Sequence, residues 1–316
     1  MKYYFAPMEG LTDRTYRRIH CEFFPGIDRY YSPFFSPTVH RSLTPREQRE
    51  LPPADTLPYT LIPQILTKVP EDFLFMASVC RDLGYREINL NLGCPSGTVT
   101  AKGKGAGMLT DRDALARFLD AVFSSSPLPV SVKTRLGMDS AEDFDKLIAL
   151  FNRYPIAQLT IHPRIRSQFY RGSVDMTRFS YAVSHSVNPL CYNGDLCTYA
   201  QIGQFEKAYP AVPAVMLGRA LIGDPGMLCG GTDADTMQAF LNTLYQAYSV
   251  TFGSRRNAMS RMKEHWCYAI CLFDDHEKLG KQLRKSNDPD TYEAVVREIF
   301  CSLTMRKTLL PDWNKN

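Results

Sequence analysis

EINLNL (87–92), the glycine-rich GCPSGTVTAKGKGAG (93–107), DRDALARFLDAVF (111–123) and PVSVK (129–133) follow one another in the chain. The first and last are short β-like runs. The third starts with an acid and places Leu115, Phe118, Leu119 and Val122 at i, i+3, i+4 and i+7, the spacing of a helix with one apolar face. Strand, long loop, helix and strand make a βαβ crossover, which joins parallel strands.

Six further β-like runs flank this unit, starting near Tyr3 (YYFA), Asp28 (DRYYS), Tyr59 (YTLIPQI), Gln158 (QLTIH), Leu190 (LCYN) and Ala214 (AVML). A parallel strand with its crossover helix and two loops needs about 30 residues, and eight such units before residue 220 predict a (β/α)8 TIM barrel. The runs are apolar or β-branched almost throughout, as strands covered on both faces must be. Another helix is expected over 140–152, where SAED reads as a capping box ahead of Phe144, Leu147, Ile148 and Phe151.

Past Pro225 the pattern changes. CGGTDAD (229–235) reads as a linker. Met237, Phe240, Leu241, Leu244, Tyr245 and Tyr248 then recur at helical spacing, and a second amphipathic stretch runs from Met259 to Phe273. Asp288-Pro289, an N-cap followed by proline at the first helical position, opens a third with Tyr292, Val295, Val296, Ile299 and Phe300. The expected division is a catalytic barrel over 1–230 and a small C-terminal helical domain of about four helices over 231–316.

Composition excludes several classes. The 316 residues are 44% hydrophobic and 22% charged, values that rule out disorder and collagen-like repeats. No apolar run approaches the ~18 residues of a membrane helix. The start, MKYYFAPMEG, is broken by Pro7 and Glu9 and does not read as a signal peptide, so a cytoplasmic address is expected. The nine cysteines include no CxxC pair, and neither a disulfide framework nor a metal site is expected. Nothing in the sequence calls for an obligate assembly, and a monomer is expected. Residues 254–285 carry eight Lys or Arg against four acids, which equals the whole formal net charge of +4. Such a stretch is a solvated helix face or a contact for a phosphate backbone.

In a barrel of this kind chemistry sits at the C-terminal strand ends. Those ends carry Met8 and Glu9, Ser32, Gln64, Asn91 with Cys94, Lys133, His162, Asn193 with Asp195, and Gly218 with Arg219. Together they describe a lined pocket. NGD (193–195) and GRALIGDP (218–225) suit a phosphate, because glycine lets backbone N–H groups approach an anion and Arg219 adds a fork of donors. The 93–107 loop is no Walker loop, since Lys104 is not followed by Ser or Thr. Its singular residue is Cys94. A free cysteine has a pKa of roughly 8.5 and is a proton donor near neutrality, and the glycines around it suggest a mobile lid. Lys133, costly to bury without an anion, suits either the anionic edge of a reduced flavin or Schiff-base chemistry.

APMEGLTD (6–13), LNLGCP (90–95) with VTAKGKGAGML, VKTRLG (132–137), TIHPRIRSQFYRG (160–172), NGD (193–195) and LGRALIGDP (217–225) resemble, in order, the signatures of the tRNA-dihydrouridine synthases. RMKEHW (261–266) and QLRKS (282–286) resemble the basic helical part of that family. The resemblance implies an FMN barrel reduced by NADPH, with tRNA as substrate and partner. It implies hydride transfer to C6 of a flipped-out uridine and protonation of C5 by Cys94. Carried over by position, Pro7, Met8, Gln64, Lys133, His162, Asn193, Gly194, Asp195, Gly218 and Arg219 would line the FMN site. Asn91, Arg164, Gln168 and Tyr170 would face the substrate, and Lys263, His265, Arg284 and Lys285 the RNA backbone. Pro163, Ile165 and Met176 depart from the family pattern, which commonly has Gly, Thr and Trp there. The rival readings are an FMN barrel reductase of a free pyrimidine or another small enone, and a non-catalytic RNA-binding flavoprotein.

Overall fold

The computed structural model describes residues 1–37 and 40–311. The end of the expected helical domain, 312–316, lies outside the described residues. The chain divides into two compact units. The first comprises Met1–Pro7, Asp28–Asp195 and Glu206–Met216; the second comprises Met8–Ile27, Leu196–Phe205 and Leu217–Asn316.

All eight expected strands form. They are β1 (Lys2–Phe5), β2 (Arg29–Tyr31), β3 (Leu61–Ile62) with β4 (Gln64–Ile65), β5 (Ile88–Leu92), β6 (Val130–Arg135), β7 (Leu159–His162), β8 (Leu190–Tyr192) and β9 (Ala214–Leu217). The third run is split in two at Pro63, which has no N–H for the ladder. Its carbonyl still accepts from Asn89 N at 2.8 Å. The hydrogen-bonded order β3-β2-β1-β9-β8-β7-β6-β5-β4 begins and ends on the two halves of this one run. The sheet therefore closes on itself as an eight-stranded parallel barrel, the TIM-barrel architecture.

The barrel interior has two halves. Tyr4, Ala6, Tyr31, Ile62, Cys191, Ala214 and Met216 form a buried apolar cluster from β1, β2, β3, β8 and β9. The other half is polar. Register pairs Gln64 with Asn89 and Asn89 with Ser131, and one layer higher Asn91 with Lys133 and Lys133 with Thr160. Alternate residues of a strand share a face, so these positions stack as two polar layers.

The 111–123 helix forms as Arg112–Ser125, with Leu115, Phe118, Leu119 and Val122 buried and Asp111 accepting from Asp113 N and Ala114 N. The second expected helix is shorter. It runs Phe144–Phe151, and Ser140 caps nothing. The Ser140 hydroxyl instead accepts from Glu142 N at 3.0 Å, a local turn that competes with the capping box.

In the second unit four helices follow the barrel sequence: Ala234–Thr251, Arg255–Ala269, Glu277–Lys285 and Pro289–Ser302. Asp288 caps the last, accepting from Thr291 N, with Pro289 at the first position as expected. The predicted linker is not slack. Thr232 donates to the buried Asp224 carboxylate through both its hydroxyl (2.6 Å) and its N–H (3.1 Å), which pins the turn. None of the helices among the described residues is long and apolar enough to cross a membrane.

The capping difference is measurable. Asp111→Ala should cost about 1 kcal/mol of stability, whereas Ser140→Ala should stay within about 0.5 kcal/mol. Equal losses in urea midpoint would restore the capping box at Ser140.

Candidate active site

The polar half of the barrel ends in a chain of carboxamides. Asn91 Oδ1 accepts from Gly93 N (3.0 Å) and Cys94 N (2.9 Å). With its oxygen so placed, Asn91 Nδ2 donates to Gln64 Oε1 at 2.8 Å. Gln64 Nε2 then donates to Asn89 Oδ1 (2.8 Å), and Asn89 Nδ2 to Ser131 Oγ (2.9 Å). The two backbone N–H groups thereby set the direction of the whole relay, because each amide oxygen must face a donor. Asn91 spends both acceptor positions holding the backbone of Cys94 and keeps one N–H for a ligand.

Cys94 is half-buried and forms no disulfide. Its loop is folded, with a short helix Gly97–Thr100 and a 3-10 segment Gly105–Thr110. Two of its glycines allow close packing. A Cβ on Gly105, at φ +59°, would stand 3.0 Å from Cys94 Cβ and from Val99 Cγ1, and one on Gly107 would stand 2.8 Å from Thr100 O.

Two arginines clasp this loop to the one after β7. Buried Arg135 donates to Gly93 O (2.9 Å), Ile165 O (3.2 Å) and Phe169 O (2.8 Å). Arg166 donates to Pro95 O (3.0 Å) and Thr100 Oγ1 (3.2 Å). Neither was among the site residues expected from sequence. The signal for Arg135 was its place two residues after Lys133 on one strand, hence on the same face.

Lys133 stands between these elements. Among the described residues its ammonium has no hydrogen-bond or ion-pair partner. Burial, then the neighbouring Arg135 cation, pull its pKa down to about 8, while Cys191 and Cys94 pull the other way. An uncompensated cation in a polar barrel mouth fits a ligand that brings negative charge.

The structure relocates several expected contacts. Arg164 was expected to face the substrate but is fully buried. It pairs with both carboxylate oxygens of Asp195 and donates to Arg171 O (3.3 Å) and Gly172 O. Its guanidinium lies 3.2 Å from His162 Nε2. Since a guanidinium can only donate, that nitrogen accepts and His162 carries its proton on Nδ1. Asp195 is thus held by Arg164 as well as lying in the NGD loop. Gln168 Oε1 is spent on Ile165 N at 2.9 Å. Tyr170 stays 44% exposed, its ring 5.9 Å from that of His162. Asn193 donates to Met216 O at 2.7 Å. Gly194 has no room for a side chain, because a Cβ would fall 2.0 Å from the Tyr192 hydroxyl.

In the second unit, Met8 heads a turn whose carbonyl accepts from Leu11 N and Thr12 N, both at 3.0 Å. Gly218 precedes a short helix, Arg219–Gly223, with Arg219 half-buried. Pro7, in the first unit, is half-buried at the end of β1.

Two of the expected RNA contacts do not stand. His265 is 1% exposed, stacks on Tyr16 at 5.0 Å, and its Nε2 meets Leu11 O at 3.0 Å. Its Nδ1 meets Arg261 O at 3.1 Å, burial pulls its pKa down, and it is a packed histidine with no surface to offer. Lys263 donates to Arg284 O (3.2 Å) and Ser286 O, closing the end of the helix Glu277–Lys285. Arg284 and Lys285 remain exposed on that helix, together with Lys278 and Lys281, while Leu279, Gly280 and Leu283 are buried. Lys278 and Lys281 were missed although their i, i+3, i+7 spacing with Lys285 was legible. No group of acidic, histidine or cysteine side chains among the described residues forms a metal site.

A family model described as dihydrouridine synthase (Dus) matches residues 4–278. A probable tRNA-dihydrouridine synthase of Rhodobacter capsulatus is 30% identical over 311 residues, covering 93% of this chain and 93% of its own. One of Rickettsia bellii is 28% identical over 320 residues, covering 96% and 95%. A tRNA-dihydrouridine(16) synthase of Shigella flexneri is 28% identical over 240 residues, covering 72% and 74%. Among solved structures, a morphinone reductase variant in complex with tetrahydroNAD aligns with a TM-score of 0.52 at 11% identity, over 72% of this chain and 85% of that one. That likeness is one of fold.

The Lys133 geometry has a pH signature. With a folded pKa near 8, below the ordinary lysine value, the charge penalty is full below pH 8 and fades as pH rises towards the ordinary range. The ligand-free Lys133→Met variant should therefore be more stable than the parent at pH 7, with a gap that narrows by pH 9.5. A gap independent of pH would mean that Lys133 is already compensated.

Proposed function

The chain belongs to the dihydrouridine synthase family, and on that footing we propose that it reduces a uridine of tRNA to 5,6-dihydrouridine, with FMN as resident cofactor and NADPH as reductant. The observation that carries the reading is the pairing of Asn91 with Lys133 across β5 and β6. Asn91 holds the backbone N–H of Cys94, and its register partner Lys133 is the uncompensated cation.

Reduced FMN would supply the hydride that adds to C6 of the uracil ring. Hydride addition leaves enolate character at C5 and O4, and Cys94 quenches it by giving its thiol proton to C5. The thiolate regains its proton from solvent. Lys133 offsets negative charge on the flavin edge, a role that also restores its own pKa. His162 presents Nδ1–H. By the family resemblance, Gln64, Pro7, Met8 and Asn193 would contact the flavin ring, and Gly194, Asp195, Gly218 and Arg219 would serve its phosphate through backbone N–H groups and the guanidinium. The remaining N–H of Asn91 and the exposed Tyr170 face the uracil.

A base in a folded RNA reaches such a site only by leaving its stack. Phosphate contacts elsewhere hold the RNA while it does so. We assign these to Lys278, Lys281, Arg284 and Lys285, with 1–230 as the catalytic part and 231–316 as the RNA-binding part of a cytoplasmic monomer.

Cys94→Ala should bind FMN and be reduced by NADPH as the parent is, while oxidation of the reduced protein by unmodified tRNA slows by about 10²–10⁴-fold. A variant that binds no flavin, or one that turns over tRNA normally, would remove Cys94 from the acid role. Lys281→Glu with Lys285→Glu should weaken RNA binding and flatten its salt dependence, by about 0.9 in log–log slope for each phosphate no longer neutralised. Lys263→Ala should leave that slope unchanged and lower stability instead. The reverse pattern would return the phosphate contact to Lys263.

A further inference from the structure

We propose that Phe169 is a stacking platform for the nucleobase next to the target uridine, an inference that rests on the RNA-modifying reading above. Phe169 and Tyr170 are consecutive in the loop after β7, 42% and 44% exposed, and count among the few large apolar side chains left at the surface. The Phe169 ring has one side against the Arg166 guanidinium, 5.3 Å from its centroid. The residue keeps 42% of its surface exposed. A ring backed by a cation and still accessible to solvent suits a sequence-tolerant base stack.

The backbone points the same way. Phe169 has φ 52° and ψ −98°, a conformation that side-chain-bearing residues rarely adopt. It is held there by Arg135, which donates to Phe169 O at 2.8 Å, and by the Phe169 N–H bond to Arg166 O at 3.0 Å. Two hydrogen bonds, one of them from the buried Arg135, thus maintain a sparsely populated backbone conformation at an exposed aromatic residue. The platform also touches the chemistry, because Arg166 donates to Pro95 O and Thr100 Oγ1 on the Cys94 loop. A base seated on Phe169 thus bears on the guanidinium that braces the proton donor's loop. Arg171, exposed two residues on, lies within the same loop for the accompanying phosphate.

The test uses the FMN-loaded protein and three variants. Phe169→Ala should raise KM for unmodified tRNA about 10-fold, with flavin content, NADPH reduction and unfolding midpoint unchanged. Phe169→Tyr should restore the parent KM. Phe169→Trp, made in a Trp313→Phe background so that Trp266 is the only other indole, supplies a readout without turnover. Its new indole should be quenched by tRNA, whereas Trp266, 1% exposed, should not respond. If Phe169→Ala leaves KM unchanged, or if the Phe169→Trp emission ignores tRNA, the platform is rejected while the dihydrouridine reading stands. If the parent does not reduce tRNA but the Phe169→Trp emission is quenched, the platform stands and the reaction assignment falls. A Phe169→Ala protein with lower midpoint and slower NADPH reduction would show a structural residue and overturn the proposal.

Discussion

Two backbone N–H groups, those of Gly93 and Cys94, meet one side-chain oxygen, Asn91 Oδ1, and the rest of the site follows from that meeting. A buried carboxamide in a low-dielectric interior must satisfy its donors and acceptors or lose free energy comparable to a hydrogen bond for each group left unmade. Once Asn91 turns its oxygen to the backbone, its nitrogen must find an acceptor, and Gln64, Asn89 and Ser131 pass the requirement down the barrel. Half of the interior is therefore a polar relay where a scaffold barrel would hold branched aliphatics. The relay anchors the backbone of Cys94 at its upper end.

The loops above are irregular, and their carbonyls have no ladder to join. Arg135 and Arg164 solve this from within, since each offers five donors in a fixed fork. Arg135 gathers three carbonyls from two loops, and Arg164 gathers two carbonyls and the Asp195 carboxylate. Both are almost completely buried. Buried cations of this sort are costly to strip of their partners. Lys133 lies beside them with nothing among the described residues to pair with, and its depressed pKa is the electrostatic consequence. An uncompensated cation in such a cluster fits a ligand that brings negative charge.

The barrel was legible because strand spacing and apolar runs are local properties that tertiary packing had no reason to override. Leu115, Phe118, Leu119 and Val122 are buried as their spacing requires. Ser140 misled because a serine hydroxyl can bond two residues on as readily as three, and the sequence does not say which. His265 and Lys263 were drawn to the RNA side by their neighbours in a basic stretch. Burial depends on which helix face meets the core, and there His265 and Trp266 face inward. Lys278 and Lys281 were readable from periodicity alone. Arg135 was legible only as a same-face neighbour of Lys133, and the clasping roles of Arg164 and Arg166 were not, because most of their partners are loop carbonyls, up to 71 residues distant, which leave no trace in a sequence. Resemblance placed Cys94 and the glycine loops without explaining why Gly105 and Gly194 must be glycine; the close approaches to Cys94 and Tyr192 do.

Fold, thiol, cation and basic stripe converge on one reaction, the saturation of a uracil C5=C6 bond within RNA. The measurement that tests this most directly is nucleoside mass spectrometry of tRNA from cells with and without the gene, and with a copy carrying Cys94→Ala. The account predicts that dihydrouridine at a defined tRNA position is lost on deletion, returns with the wild-type copy and does not return with the variant. Unchanged dihydrouridine in all strains, together with no reduction of unmodified tRNA by the purified FMN-loaded protein, would contradict it and favour a small-molecule substrate.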